Sequence, residues 1–351
     1  MRLTEKENPD AFGVLADILG KRVEELSAAG GGRNSRVYRL KAEGKSYAAK
    51  FYHRDKLDGR DRLGTEFAGL TFLWDAGERS VPRPVAADKK NGCAIYELLE
   101  GEPIRTGSVR DADIHAAVAF LARLKTLAAS REAQKLPPAS EAAFSPAALI
   151  ENIKARRERL SGLKTRGGIH LDMRRFLDER WSPLFDAVCS HSSRVWDEAG
   201  WNPGRELPPG ARTLSPSDFG FHNAIRRKDE SLAFLDFEYF GFDDPAKTVS
   251  DFILHPAMAL DKASAGRFSA GMFDVFSEQA DLPARVSAAY PLYGLKWCLI
   301  LLNEFVPADV ARRGFAAGPG GAAAGLALQL NKSVEMLERV ESEYEVFPYH
   351  G

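Results

Sequence analysis

The sequence predicts an α+β chain in two stretches: a small antiparallel sheet carrying one packed helix, then a larger and mainly helical part. Three observations lead there. Residues 36–53 alternate apolar with polar side chains, as a half-buried strand does. From Gly101 onward, apolar residues instead recur every three to four positions, as on one helix face. Strand character then returns briefly at 212–237, inside the helical part.

The elements follow in chain order. Residues 10–26 have apolar positions at helical spacing and run into a small-residue stretch, SAAGGG. RVYRLKAEG and KSYAAKFYH read as a β-hairpin turning at Glu43-Gly44. Residues 60–76 return to helical period, with Leu63, Phe67, Leu70 and Leu73 on one stripe. A second hairpin-like unit follows VPRPVAADKKNG and ends in CAIYELL at 93–99. Residues 111–129 predict an amphipathic helix whose Asp111 and Asp113 favour the positive end of its dipole. Residues 147–164 and 170–190 also read as helices, and WNPGRELPPG at 201–210 reads as a loop. Helices resume after the β-rich island, with a glycine-rich interruption at 315–325 and a charged amphipathic helix to finish.

Composition narrows the function classes. The chain has 351 residues, 44% hydrophobic and 28% charged, enough for two domains or one two-part unit with a sizeable core. Its 48 Lys and Arg nearly cancel 49 Asp and Glu, which leaves no electrostatic footprint for a nucleic-acid partner. The three cysteines, Cys93, Cys189 and Cys298, are far apart and lack metal-ligand spacing, as a reducing cytoplasm tolerates. Charges and a proline interrupt the N-terminus where a signal peptide needs its apolar core. The longest apolar run, WCLILL at 297–302, is far short of a membrane span and predicts a core helix. A cytoplasmic protein is expected.

The chemistry concentrates in LSPSDFGFHNAIRRKDESLAFLDFEYFGFDDPAKTVSD at 214–251. Asp218 precedes Asn223 by five residues and Asp236 by eighteen. A tight hairpin through the KDES turn sets Asn223 and Asp236 side by side, about 5 Å apart, on neighbouring strands. Two hard oxygen ligands at that spacing suit magnesium, which keeps waters and phosphates as its other ligands. Asp218, on the preceding loop, is placed to accept the proton of an incoming hydroxyl.

This stretch resembles the catalytic and metal-binding loops of protein kinases, and DFEYFGFDDPAKTVSD is closer still to the aminoglycoside phosphotransferase and choline kinase-like family. The resemblance implies a bilobal protein kinase-like fold, with an N-lobe at 1–97, a C-lobe at 98–351 and nucleotide between them. It implies an ATP- and magnesium-dependent transfer of phosphate to a hydroxyl of a small molecule. In that scheme Asp218 is the catalytic base, and Asn223 and Asp236 hold the metal. Lys50 steadies the α- and β-phosphates, and Glu66, sixteen residues later, pairs with Lys50. Gly30, Gly32 and Ser35, in a loop reading G-x-G-x-x-S, approach the phosphates, and YELLEG supplies an adenine-binding hinge around Glu97 to Leu99.

The sequence also departs from the family. Two residues before the catalytic Asp the family usually carries His, and one before it Gly; here stand Pro216 and Ser217. That keeps a nucleotide-binding pseudokinase without turnover as the alternative. A kinase acting on protein side chains is disfavoured because no Ala-Pro-Glu follows Asp236. Glu238 either adds a metal oxygen or hydrogen-bonds its loop, with the second favoured, and His222 either faces the phosphates or packs. Asp243 and Asp244 read as caps of the next helix, and Asp251 as a support of the catalytic loop.

Overall fold

The computed structural model describes residues 2–3, 9–31, 35–54, 59–164, 167–307, 309 and 325–349. It divides into two compact units. One is built from Met1–Pro103 and Asn223–Phe240; the other from Ile104–His222, Gly241–Pro307 and Ala324–Gly351.

The first unit is organised by an antiparallel six-stranded sheet, β1 (Arg2–Leu3), β2 (Val23–Gly31), β3 (Ser35–Ala42), β4 (Lys45–Tyr52), β5 (Pro84–Asp88) and β6 (Cys93–Glu97), in the order β1-β2-β3-β4-β6-β5. The β3–β4 hairpin turns at Glu43 and Gly44, both at positive φ (49° and 71°), the two-residue turn that matches strand twist. Helix α1 (Pro9–Leu19) lays Phe12 and Leu15 against Leu26, Leu40, Ala49 and Ile95. It is shorter than its apolar pattern predicts. Gly20, at φ 63°, ends it, and residues 23–31 pair with β3. The small residues 27–31 are therefore strand, not a loop.

Helix α2 (Arg62–Asp75) starts on Asp61, whose side chain accepts the Gly64 N–H. It buries Leu63, Leu70 and Leu73, while Phe67 is half-buried and tilts against Tyr96. Its Gly69 lies against Phe240, and a Cβ there would come 2.5 Å from the ring. Gly69→Ala is expected to lower stability by about 1–3 kcal/mol through overpacking. That outweighs the gain in helix propensity of up to about 1 kcal/mol. A urea midpoint unchanged or raised at constant m would contradict the packing argument. The unit is completed by β7 (Glu102–Pro103), β9 (Ala224–Arg226) and β10 (Leu232–Phe234), a three-stranded sheet in the order β10-β9-β7.

The second unit is helical apart from β8 (Thr213–Ser215) and β11 (Gly241–Asp243), which pair antiparallel. Helix α3 (Asp111–Ala128) opens with the predicted acidic turn, and the Asp113 carboxylate accepts the Arg110 N–H at 2.8 Å. Helix α4 (Pro146–Ser161) is capped by Ser145. The segment expected as one helix over 170–190 runs from 168 to 198, as α5 (Gly168–Arg175), a π-helical turn at Phe176–Trp181 and α6 (Ser182–Glu198). Then come α7 (Pro245–Leu254), α8 (Lys262–Val275), α9 (Leu282–Leu301) and α10 (Leu326–Glu343). Helix α9 contains most of the WCLILL run, and from Tyr290 to Leu299 it is buried on every face, as a core helix is. No helix among the described residues is long and apolar enough to cross a membrane.

Candidate active site

Within the first unit the chemistry starts on β4. Side chains two apart on a strand share a face, so Lys50 and Tyr52 point the same way. Lys50 Nζ is buried and lies 2.7 Å from Glu66 Oε2, 2.6 Å from Asp236 Oδ1 and 3.9 Å from Glu238 Oε2. Burial alone would push the ammonium down, but Asp236, Glu66 and Glu238 outweigh it and hold Lys50 well above its ordinary range. It is a fixed cation.

Glu66 ties three segments together. Its Oε2 accepts from Lys50 and from the Tyr52 hydroxyl at 2.7 Å, and its Oε1 accepts the Phe237 N–H at 3.2 Å. Because Tyr52 donates its only proton to Glu66, the 2.7 Å contact between Tyr52 and Tyr96 has Tyr96 donating. Burial, then Glu66, push both phenols well up, so they stay protonated.

The β9–β10 hairpin pairs Ala224 with Phe234, and the Asn223 carbonyl accepts the Leu235 N–H at 2.8 Å. Asn223 and Asp236 thus flank the open end of the same hairpin, with Asn223 bonded to Leu235, the residue before Asp236. Asp236 has φ 65°, a left-handed conformation that Asp tolerates better than most residues. One of its carboxylate oxygens meets Lys50, and a quarter of the side chain (25%) remains exposed. Glu238 is buried 3.8 Å from Arg62 and belongs to this ionic cluster. Oxygens of Glu66, Asp236 and Glu238 lie within 4.8 Å of one another. A carboxylate and an amide oxygen, Asp236 with Asn223, form a hard donor set that suits magnesium.

Other predicted nucleotide residues are more dispersed. Gly30 pairs with Val37 at the end of β2, and Ser35 is buried and pairs with Tyr52. Gly32 lies outside the described residues. The Glu97 N–H is occupied by the Arg83 carbonyl at 2.8 Å, so that group cannot read an adenine edge. Leu99 sits half-buried in the irregular segment after β6.

In the second unit, Asp218 follows β8 on a loop pinned by Phe219 and Phe221. Both are buried, Phe219 stacking between Phe120 and Phe252 and Phe221 meeting Phe252 edge-on. Gly220 between them has no room for a Cβ, which would meet His222 Nδ1 and Met258 Sδ at 2.8 Å. The anchors leave Asp218 35% exposed, with Oδ1 3.2 Å from His222 Nε2 and 3.3 Å from His255 Nε2. Burial raises this carboxyl, but hydrogen bonds from His222 and His255 prevail and hold it well below its ordinary range. It is a carboxylate.

The residues before it explain the departure at 216–217. The Asp218 N–H donates to the Pro216 carbonyl at 2.9 Å, closing a γ-turn centred on Ser217 at φ 67°. Glycine adopts that conformation without strain; here Lys247 compensates by donating to Ser217 Oγ at 2.9 Å. Buried Lys247 also lies 3.0 Å from both Asp243 and Asp251. Asp244 caps α7 through the Ala246 N–H, as expected, whereas Asp243 is a counter-charge to Lys247 and not a cap.

Tyr52, Lys247 and His255 were not singled out from the sequence. Two of them left a signal. Tyr52 shares strand parity with Lys50, and Lys247 stands four residues from Asp243 and from Asp251. His255 left none, since only folding brings it to a loop 37 residues earlier. An apolar hollow of about 310 Å³, lined in part by Phe144, Trp196, Trp201 and Tyr293, also reaches Asp244, next to the Asp243 end of the β8–β11 pair. Asp218 follows the other end.

A family model described as the phosphotransferase enzyme family matches residues 25–286. No curated protein matches the sequence. Among solved structures, the chain resembles the spectinomycin phosphotransferase APH(9)-Ia in complex with ADP and spectinomycin, at TM-score 0.65 and 12% identity, covering 96% of this chain and 98% of that one. It also resembles a choline kinase from Streptococcus pneumoniae (TM-score 0.56, 16% identity, 95% and 99% covered). A choline/ethanolamine kinase family protein from Mesorhizobium loti is similar at TM-score 0.57 and 15% identity, with 97% and 96% covered. At these identities the likeness is one of fold, and that fold is protein kinase-like, a small antiparallel-sheet part joined to a larger helical one.

Proposed function

Since the chain belongs to the phosphotransferase enzyme family, we propose that it is a small-molecule kinase that moves the γ-phosphoryl group of ATP, with magnesium, to an alcohol. The observation that carries this reading is the buried Lys50 ammonium, held at 2.7 Å from Glu66 and 2.6 Å from Asp236. A fixed cation beside a hard-oxygen donor pair is what a nucleoside triphosphate requires.

In this reading Lys50 neutralises the α- and β-phosphates, and Glu66, itself fixed by Tyr52 and the Phe237 N–H, keeps Lys50 in place. Asn223 and Asp236 hold the magnesium, which when bound neutralises phosphate charge as a Lewis acid. The acceptor oxygen forms a bond to the γ-phosphorus as the bond from that phosphorus to its bridging oxygen breaks, releasing ADP. The hydroxyl proton passes to the Asp218 carboxylate. Spectinomycin and choline, named for two of the structural neighbours, suggest an acceptor among sugars, amino alcohols or aminoglycoside-like molecules. An ATP donor goes with a cytoplasmic location, which we assign to the protein.

The test is magnesium-dependent ADP release across a panel of such alcohols. Asp218→Asn is expected to lower turnover about 10²- to 10⁴-fold with the best acceptor. Unchanged turnover in that variant would remove Asp218 from the chemistry. ATP binding with no release for any acceptor would favour the pseudokinase reading instead.

A further inference from the structure

The loop WNPGRELPPG has no part in the proposed transfer, yet it is firmly held. The Trp201 N–H donates to the Trp196 carbonyl at 2.8 Å, the Leu207 N–H to the Phe144 carbonyl at 2.6 Å, and the Ala147 N–H to the Pro203 carbonyl at 3.0 Å. These bonds join the end of α6 to the start of α4 and make one rim of the hollow of about 310 Å³. Helix α9 supplies another wall. Its Arg285, Ala289 and Tyr293 are four residues apart and so share a face, with the small Ala289 side chain between two large ones.

The hollow carries polar groups that the fold leaves unused. Of the five tryptophans, Trp74, Trp181 and Trp297 each donate Nε1–H to a protein oxygen, at 3.1, 3.1 and 2.9 Å. Trp196 and Trp201, which border the hollow, have no such bond among the described residues, and neither does the Tyr293 hydroxyl. Trp196 is 5% exposed and Tyr293 2%, and neither polar atom is sealed off, so the hollow is where both can meet a partner. Burial, then Asp243, Asp244 and Asp251, push the Tyr293 phenol well up, so it keeps its proton to donate. A nearly buried donor without an acceptor is unfavourable, and an acceptor atom on a ligand relieves it. The charges around the hollow are balanced. Arg285 pairs with Asp244 at 3.4 Å and Asp281 at 3.5 Å, and Arg212, over the Phe144 ring at 3.7 Å, pairs with Glu206 at 2.8 Å. Arg205 is exposed to water.

We propose that this hollow is a second binding site, for an uncharged flat aromatic or heteroaromatic molecule with a hydrogen-bond acceptor on its edge. Phe144, Trp196, Trp201 and Tyr293 offer ring faces and edges to such a molecule, and the volume suits one or two rings. Tyr293 and the two indoles supply donors to its acceptor atoms. Balanced ion pairs give no gain to a charged ligand, which would still lose its hydration on entry.

The test is isothermal titration calorimetry of the full chain with 2-quinolone, an uncharged two-ring probe whose carbonyl is an acceptor. N-methylquinolinium and quinoline-2-carboxylate, its cationic and anionic counterparts, are expected to bind about tenfold or more weakly. Tyr293→Phe removes only the hydroxyl and is expected to weaken 2-quinolone about 3- to 10-fold. Ala289→Leu fills the hollow without touching a donor and is expected to abolish binding. Saturating ATP with magnesium is expected to leave the Kd of the probe unchanged. No binding of 2-quinolone, tighter binding of a charged counterpart, or binding that survives both substitutions would overturn the proposal. Displacement by ATP with magnesium would overturn it too, since the probe would then occupy the nucleotide residues. No arm requires turnover, so the result is read in the same way whether or not the chain transfers phosphate.

Discussion

Asp236→Ala is expected to reduce ADP release about 10³-fold or more while leaving the thermal midpoint nearly unchanged. The two halves of that expectation have separate causes. Turnover falls because the proposed magnesium loses its only carboxylate ligand from the hairpin, and Asn223 alone cannot hold the ion. Stability survives because Lys50 does not become an uncompensated buried charge: Glu66 remains at 2.7 Å and Glu238 at 3.9 Å. Relief of the left-handed backbone at Asp236 helps little, since alanine is no better suited to φ 65°. Paired kinetics and calorimetry would check this. Full activity in the folded variant would remove Asp236 from the site, and a collapse in stability would recast it as a structural counter-ion.

Lys247→Met is expected to act the other way, costing about 3–5 kcal/mol of stability. Asp243 is fully buried and Asp251 is 16% exposed, and both rely on Lys247 at 3.0 Å. Burial already raises the Asp243 carboxyl above its ordinary 3.8, with Lys247 opposing that rise. A carboxyl whose folded pKa is raised weakens the fold at pH above that pKa, and the penalty is relieved as pH falls through it. Removing Lys247 raises Asp243 further. The deficit of the variant against wild type should therefore be largest at neutral pH and shrink on acidification toward that raised value. Urea unfolding at a series of pH values measures it, and a deficit that grows in acid would contradict the assignment. The variant also frees Ser217 from Lys247, so the loop before Asp218 should lose order with it.

How much of this was legible in the sequence depended on distance along the chain. The β3–β4 hairpin was readable because alternation and the Glu43-Gly44 turn are local. Helix α1 was overextended, because the 20–26 stretch keeps an apolar period while tertiary pairing of β2 with β3 decides its state. Lys50 and Glu66 could be paired because the resemblance pairs a strand lysine with a glutamate on the next helix, sixteen residues on, and a buried ammonium needs a counter-charge. Asn223 and Asp236 could be paired because one short hairpin joins them.

What the sequence by itself determined, then, was the order of elements and those site residues whose neighbours lie within one hairpin or one strand–helix step. There the backbone period sets side-chain direction, although Asp236 and the Phe237 N–H, far along the chain, complete the surroundings of Lys50 and Glu66. Only the tertiary structure decided the surroundings of Asp218. His255, Trp297 and Lys247 come to that loop from helices α7 and α9 or just beyond them, and no local period encodes a meeting between segments so far apart. The choice of which buried charges neutralise one another belongs to that level too. A lysine finds its carboxylates through packing, and the free energy of leaving it unpaired acts only once the chain has closed around it.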